Sequence, residues 1–205
     1  MNNLDRFLKE CSDVVQFADA YLGYLSGVLK RLDRKAIAAF VAEIELARGR
    51  QSTIFVVGNG GSAATASHMA NDFGVGTRTE GKGLPYRVLA LTDNVAAMTA
   101  IGNDDGYGNI FVYQLRIHYR PGDILVAISA SGNSSNVVDA AEWMKRQGGK
   151  VLGLVGFDGG NLRGLCDVLI HAETPKGEYG PVEDVHMILD HLVYTWLRSR
   201  VANGA

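Results

Sequence analysis

Four side chains able to do acid–base or metal chemistry fall on two segments that read as helices. His68 and Asp72 lie four residues apart in GNGGSAATASHMANDF, residues 58–73. Four helical residues turn about 40° past a full turn and rise about 6 Å, so the two side chains share a face. Glu183 and His191 lie eight apart in EDVHMILDH, about 80° from each other two turns along one helix. Two imidazoles and two carboxylates suit Zn²⁺ or another divalent ion, and the same groups serve as general acids and bases. On spacing alone the simpler reading, a histidine capped by a carboxylate in a solvated helix pair, is the better one. His186, three residues past Glu183 and about 60° off its direction, is a reserve ligand. His118 and His171 read as structural or solvated.

Two polar loops accompany these groups. Gly58-Asn59-Gly60-Gly61-Ser62 follows an apolar run and opens a helix, a place where backbone amides meet anions. Its letters also fit G-x-G-x-x-A from Gly58 to Ala63. A dinucleotide site wants an acid about 20 residues on, at the end of the second strand. Asp93 ends that strand but lies too far along, and Glu80 has the spacing but sits in a Gly-rich loop, so the dinucleotide reading is disfavoured. The second loop, Ser129-Ala130-Ser131-Gly132-Asn133-Ser134-Ser135-Asn136, crowds hydroxyls at another helix start. One Ser would suffice as an N-cap. Several, with no Lys or Arg, suit a phosphate monoester held by neutral donors. No Gly-Lys-Ser/Thr occurs, which disfavours nucleoside triphosphate hydrolysis.

The elements needed to place these loops follow from apolar periodicity. Short runs rich in Val, Ile and Leu at 52–58, 86–92, 123–129, 149–156 and 167–172 alternate with helical segments at 62–73, 94–102, 107–118 and 134–147, and a last helix spans 181–201. This pattern predicts an α/β fold with a parallel sheet covered on both faces. Gly177 to Pro181 reads as the loop before the last helix. Residues 3–48 read as helix with a break at Leu32-Asp33-Arg34. Leu4, Leu8, Leu22 and Leu25 form one apolar stripe, and Phe7, Phe17, Tyr21 and Tyr24 a second beside it. That is more apolar surface than one sheet face needs; the plainer reading is a helix buried in its own monomer, and the favoured one is a helix shared between subunits. The expected division is a helical arm, residues 1–50, packed on a domain of residues 51–205.

Composition narrows the partners. The 205 residues are 47% hydrophobic and 20% charged, with 20 basic against 22 acidic residues, an ordinary globular balance. Without a Lys/Arg run, no nucleic-acid partner is expected. Without a long uncharged apolar run or a secretory signal at the start, neither a membrane span nor export is expected. Cys11 and Cys166 have no metal spacing and read as buried thiols in a reducing cytoplasm.

GNGGS, then TAIGNDDGYGNIF, then SASGNSSN, together with the EDVHMILDH helix, resemble the sugar isomerase (SIS) domain over nearly the whole chain. Within it the sequence is most similar to the phosphoheptose isomerases, also called sedoheptulose 7-phosphate isomerases. The resemblance implies a three-layer SIS domain with a five-stranded parallel sheet, a homotetramer with sites between subunits, and a sugar phosphate as substrate. It implies conversion of sedoheptulose 7-phosphate to a heptose 7-phosphate through an enediolate. It also implies that Ser129, Ser131 and Ser134 bind phosphate, and that Asn59, Gly60, Ser62 and Asp104 contact the substrate. By the same resemblance His68 and His191 match metal or catalytic histidines, with Asp72 and Glu183 at the two partner positions. Asp72, Glu183 and His191 are then the catalytic candidates, and His68, Asp72, Glu183 and His191 the candidate ligands of Zn²⁺ or another divalent ion. The family usually has Glu and Gln where this chain has Asp72 and Glu183, and polar residues where it has Ala130 and Gly180. Some relatives are non-catalytic sugar-phosphate sensors or scaffolds associated with a replication initiator. The alternative function is therefore a SIS-type binding protein, which would have no need of the two histidines.

Overall fold

A computed structural model of the chain describes residues 2–78 and 83–202. Glu80 lies outside the described residues. Among these residues five strands form one sheet: β1 (Thr53–Val57), β2 (Arg87–Ala90), β3 (Ile124–Ser129), β4 (Lys150–Phe157) and β5 (Val168–Glu173). Their order is β2-β1-β3-β4-β5, and every neighbouring pair is parallel. All five sit within a residue or two of the apolar runs. The helices are α1 (Asn3–Glu10), α2 (Val14–Arg31), α3 (Arg34–Gly49), α4 (Gly61–Ala70), α5 (Val95–Asp104), α6 (Ile110–His118), α7 (Ser135–Arg146) and α8 (Tyr179–Ala202).

Strand parity assigns the two faces of the sheet. Ile54, Val56, Ile124, Val126 and Ile128 join one core with Val28, Phe40, Ile44, Met69, Val185 and Leu189 from α2, α3, α4 and α8. The alternate residues Phe55, Val57, Leu125 and Ala127 join a second core with Phe111, Leu115, Val137 and Met144 from α6 and α7. All six residues of β3 are buried. Burying each large aliphatic side chain in such a central strand contributes about 1.5–3 kcal/mol, which makes β3 a rigid base for the serine loop at its end. Residues of α2 and α3 share the sheet's first core.

Several expectations need correction, among them the Gly177–Pro181 loop, because α8 already begins at Tyr179. The first helical segment has a second break, at 11–13, because Asp13 caps α2 by accepting from the Gln16 amide. The segment read as one helix over 62–73 stops being α-helical at Ala70 and continues as a π-helical turn, Asn71–Gly76. The wider turn admits an extra residue, and the consecutive Asp72 and Phe73 are both buried. Gly76 lies against the Tyr194 ring of α8, where a Cβ would approach to 2.8 Å. The cysteines are free and only partly buried, although burial pushes the Cys166 thiol up to about 12.

The sheet order reverses at β1. The chain leaves β1 for β2 on one side and returns to β3 on the other. Such a reversal opens a crevice beyond the carboxyl ends of the two central strands. Both polar loops emerge there.

Candidate functional site

The opening loop is shaped by three glycines with different duties. A Cβ at Gly58 would lie 2.6 Å from the Ser62 carbonyl oxygen, so the turn closes only on glycine. Gly60 adopts φ +54° at the N-cap of α4 and gives the helix no side-chain cap. A Cβ at Gly61 would come within 2.1 Å of a Glu183 carboxylate oxygen. Glu183 therefore sits at the start of α4, where the helix dipole favours a negative charge. Partial burial, then the neighbouring Asp184, pushes its pKa upward.

Asn59 reaches across to the second loop. Its Nδ2 donates to Asn136 Oδ1 at 2.8 Å, and Asn136 Nδ2 donates back to Asn59 Oδ1 at 2.9 Å. The Tyr107 hydroxyl donates to the same Asn59 oxygen at 3.0 Å. Ser62 is buried in the first turn of α4. Asp104 ends α5, is exposed, and accepts from Asn103 at 2.7 Å. Asp93 accepts from the Ser67 hydroxyl and so ties the end of the second strand to α4.

In the serine loop, Ser129 Oγ lies 3.2 Å from Ser134 Oγ and 3.5 Å from Ser131 Oγ. The Gly132 amide donates to Ser129 Oγ and the Asn133 amide to Ser131 Oγ, at 3.1 and 3.2 Å. Ser134 occupies the N-cap position of α7 without a side-chain cap bond. The three hydroxyls converge, and Ser134 is the one left without a backbone amide partner. Gly132, at φ +64°, packs so closely that a Cβ would sit 2.0 Å from the Gly159 carbonyl oxygen. A cavity of about 630 Å³ opens beside this loop and is bordered by Ser131, Asn133, Arg31 and Lys176. No histidine lines it, so it flanks the serine loop rather than enclosing the whole site.

The histidines meet as their spacing on two distant helices allows. His68 Nε2 is 3.4 Å from His191 Nε2 and 3.5 Å from Asp72 Oδ2. Asn71 Nδ2 donates to the other Asp72 oxygen at 3.1 Å. The fourth group is one that sequence reasoning missed. Asp190 Oδ2 is 4.0 Å from His68 Nε2, and its side chain is wholly buried. Donor atoms of His68, Asp72, Asp190 and His191 all lie within 4.8 Å of one another. Glu183 is not among them; it is seven residues before Asp190 on α8, roughly 10 Å along the axis. Burial, then the Asp72 charge, pushes the Asp190 carboxyl up to about 7. His186 also stands apart, in the core, where burial pushes its pKa down to about 4. His171 Nε2 pairs with the Phe157 carbonyl at 2.9 Å and is structural.

The departures at 130 and 180 have local causes. Ala130 is buried against Phe157 and Val182. A side chain at Gly180 would press on the Tyr21 hydroxyl at 3.0 Å, which donates to Asp184 at 2.6 Å.

The SIS domain family matches residues 16–156. The phosphoheptose isomerase of Aliarcobacter butzleri is 41% identical over 140 residues, 68% of this chain and 72% of that protein. That of Rhodospirillum rubrum is 40% identical over 162 residues, 77% of this chain and 81% of that protein. The chain belongs to the SIS domain family and, within it, to the phosphoheptose isomerases. The fold agrees: the structure of the phosphoheptose isomerase from Neisseria gonorrhoeae superposes with a TM-score of 0.80 at 28% identity, covering 91% of this chain and 100% of that one. The family match begins inside α2, which accords with the core that α2 shares with the sheet. No helix among the described residues is long and apolar enough to cross a membrane.

Proposed function

We propose that this SIS-domain chain is an aldose–ketose isomerase that converts sedoheptulose 7-phosphate to a heptose 7-phosphate. The observation that carries the reading is the approach of His68 Nε2 and His191 Nε2 to 3.4 Å, with Asp72 beside them. A sugar-phosphate sensor or scaffold needs only the serine loop, and this pairing of imidazoles has no use in it.

Ser129, Ser131 and Ser134 hold the phosphate with hydroxyls and the amides of the α7 start. Asn59, Gly60 and Ser62 border the sugar, and the Asn59–Asn136 pair keeps the two loops in register. Asp104, at the end of α5, belongs to the same substrate-binding set. Glu183, at the mouth of the opening loop, is the better placed of the two carboxylates to act as base, with Asp72 the alternative. Its raised pKa brings it nearer the working pH, as proton abstraction beside a carbonyl requires. The base takes a proton from C1 of the ketose as the carbonyl oxygen on C2 is protonated; His191 is the acid when its Nε2 holds a proton, a role it gives up where that nitrogen holds the ion. The resulting enediol regains the carbon proton at C2 and loses the hydroxyl proton at O1, leaving the aldose with no net change in atoms or electrons.

The residues fit a divalent ion. Asp190 carries two buried carboxylate oxygens without hydrogen-bond partners, beside two imidazoles and a second carboxylate. His68, Asp72 and His191 would hold the ion, with Zn²⁺ the best match to this donor set. Bound there, it supplies Lewis-acid polarisation of the substrate carbonyl. The site is completed in a homotetramer assembled through the N-terminal helices, and the enzyme acts in the cytoplasm.

Purified protein incubated with a panel of ketose phosphates, followed by NMR, tests the reading. Appearance of the aldose from sedoheptulose 7-phosphate is expected. Binding without turnover of any ketose phosphate in the panel overturns it in favour of a sensor.

A further inference from the structure

We infer that Asp190, and not Glu183, closes the metal site with His68, Asp72 and His191. This rests on the proposed metal-bearing site but adds a ligand which the sequence resemblance does not supply.

The inference comes from the geometry about one nitrogen. His68 Nε2 faces His191 Nε2 at 3.4 Å, Asp72 Oδ2 at 3.5 Å and Asp190 Oδ2 at 4.0 Å. An imidazole nitrogen carries one hydrogen or one lone pair, so it can satisfy only one of three such neighbours. These separations are long for hydrogen bonds to nitrogen. They resemble the edges of a coordination tetrahedron, which span about 3.3–3.4 Å when ligand bonds are about 2.0–2.1 Å. A shift of a few tenths of an ångström in one carboxylate would complete the figure.

Asp190 has no competing partner. Its side chain is fully buried, and both its oxygens lack a hydrogen-bond partner among the described residues. Buried carboxylates are ordinarily hydrogen-bonded, ion-paired or bound to metal. It projects from the inner face of α8 between Leu189 and His191, among the buried Val185, His186, Val193 and Leu197. Glu183 has another place: its carboxylate packs over Gly61 at the start of α4. With Asp190 on the ion, Glu183 is left free to act at the substrate.

The test uses the full-length protein stripped by chelation and titrated with Zn²⁺, then with Co²⁺ as a spectroscopic probe. Removing groups that merely orient a ligand costs about 10–100-fold in metal affinity. Asp190→Asn, nearly isosteric, should lose at least about a hundredfold in zinc affinity and change the visible Co²⁺ absorption. It should also lose the zinc-induced rise in Tm, while Tm without metal stays at or above the wild-type value. Glu183→Gln should keep zinc affinity within about threefold, since in this assignment Glu183 neither binds the ion nor orients one of its ligands and so escapes the outer-partner cost. Wild-type zinc affinity in Asp190→Asn, or its loss in Glu183→Gln, overturns the assignment and leaves the isomerase reading standing. Glu183→Gln decides the question even if Asp190→Asn does not fold. If wild-type protein binds neither ion, the metal site itself is overturned, whatever the ketose phosphate assay shows.

Discussion

Asn59 and Asn136 exchange two hydrogen bonds through their side-chain amides, at 2.8 and 2.9 Å, across the crevice between β1 and β3. Each amide is both donor and acceptor, so the pair fixes the distance and the tilt between the opening loop and the α7 start. Asn136 is buried. Asn136→Ala should cost about 1–3 kcal/mol of stability, because it removes two bonds and strands part of Asn59. It should also weaken sugar-phosphate binding. Urea denaturation and calorimetry measure the two effects, and an unchanged midpoint would show that the pair is incidental.

Ser131→Ala removes one of three converging hydroxyls. A hydrogen bond to a charged group is worth about 1.5–3 kcal/mol, so affinity for a sugar phosphate should fall about tenfold or more. Far-ultraviolet circular dichroism should be unchanged. Calorimetry that shows unaltered affinity would remove the serine loop from the site.

Gly61→Ala probes Glu183 without touching it. The new Cβ would need the space within 2.1 Å of the carboxylate, and the flexible Glu183 side chain would swing aside. Misplacing a catalytic group by about 1 Å can cost about a hundredfold in rate. The expected outcome is a kcat reduced at least about tenfold, with Tm nearly unchanged. Equal kcat in the two proteins would show that Glu183 is not the base.

The N-terminal helices should bury surface against other copies. Val14, Val15 and Leu22 are 77%, 67% and 62% exposed, and clustered exposed apolar residues mark interaction sites. Light scattering should report a tetramer, and Leu22→Glu a smaller species. A monomer at micromolar concentration in the unaltered protein would refute this.

His186 makes stability depend on pH. Its pKa falls from 6.5 to about 4 on folding, mainly because it is buried. The unfolded chain therefore binds this proton more readily than the folded one. The associated stability is fully present above about 6.5 and is lost as pH falls toward about 4. His186→Leu should flatten that part of the profile of denaturation midpoint against pH, and an unaltered slope would assign the loss to other groups.

The strands were legible because central parallel strands are continuous apolar runs, and the polar loops because glycines and serines cluster where β1 and β3 end. His68, Asp72 and His191 came together as helical spacing allowed. Asp190 was not legible by spacing, because it is adjacent to His191, about 100° round the helix, whereas side chains that share a face lie one or two turns apart. A signal was there: with Val182, Val185, His186, Leu189, Val193 and Leu197, it occupies the buried stripe of α8, and a carboxylate in an apolar stripe asks for a partner. The π-helical turn at 71–76 was not legible either. Its spacing depends on burying both Asp72 and Phe73, a tertiary demand that local periodicity does not record.

Helix α8 carries Glu183, Asp190 and His191 on one rigid rod, whereas the serine hydroxyls belong to the turn between β3 and α7. On the proposed assignment, reactivity and ligand retention are thus written in separate stretches of the chain. A lineage could lose His191 by a single substitution and still keep its grip on phosphorylated sugars, since nothing in the serine turn leans on that imidazole. The same domain can in this way pass from converting a metabolite to reporting its concentration, with its architecture intact at every step.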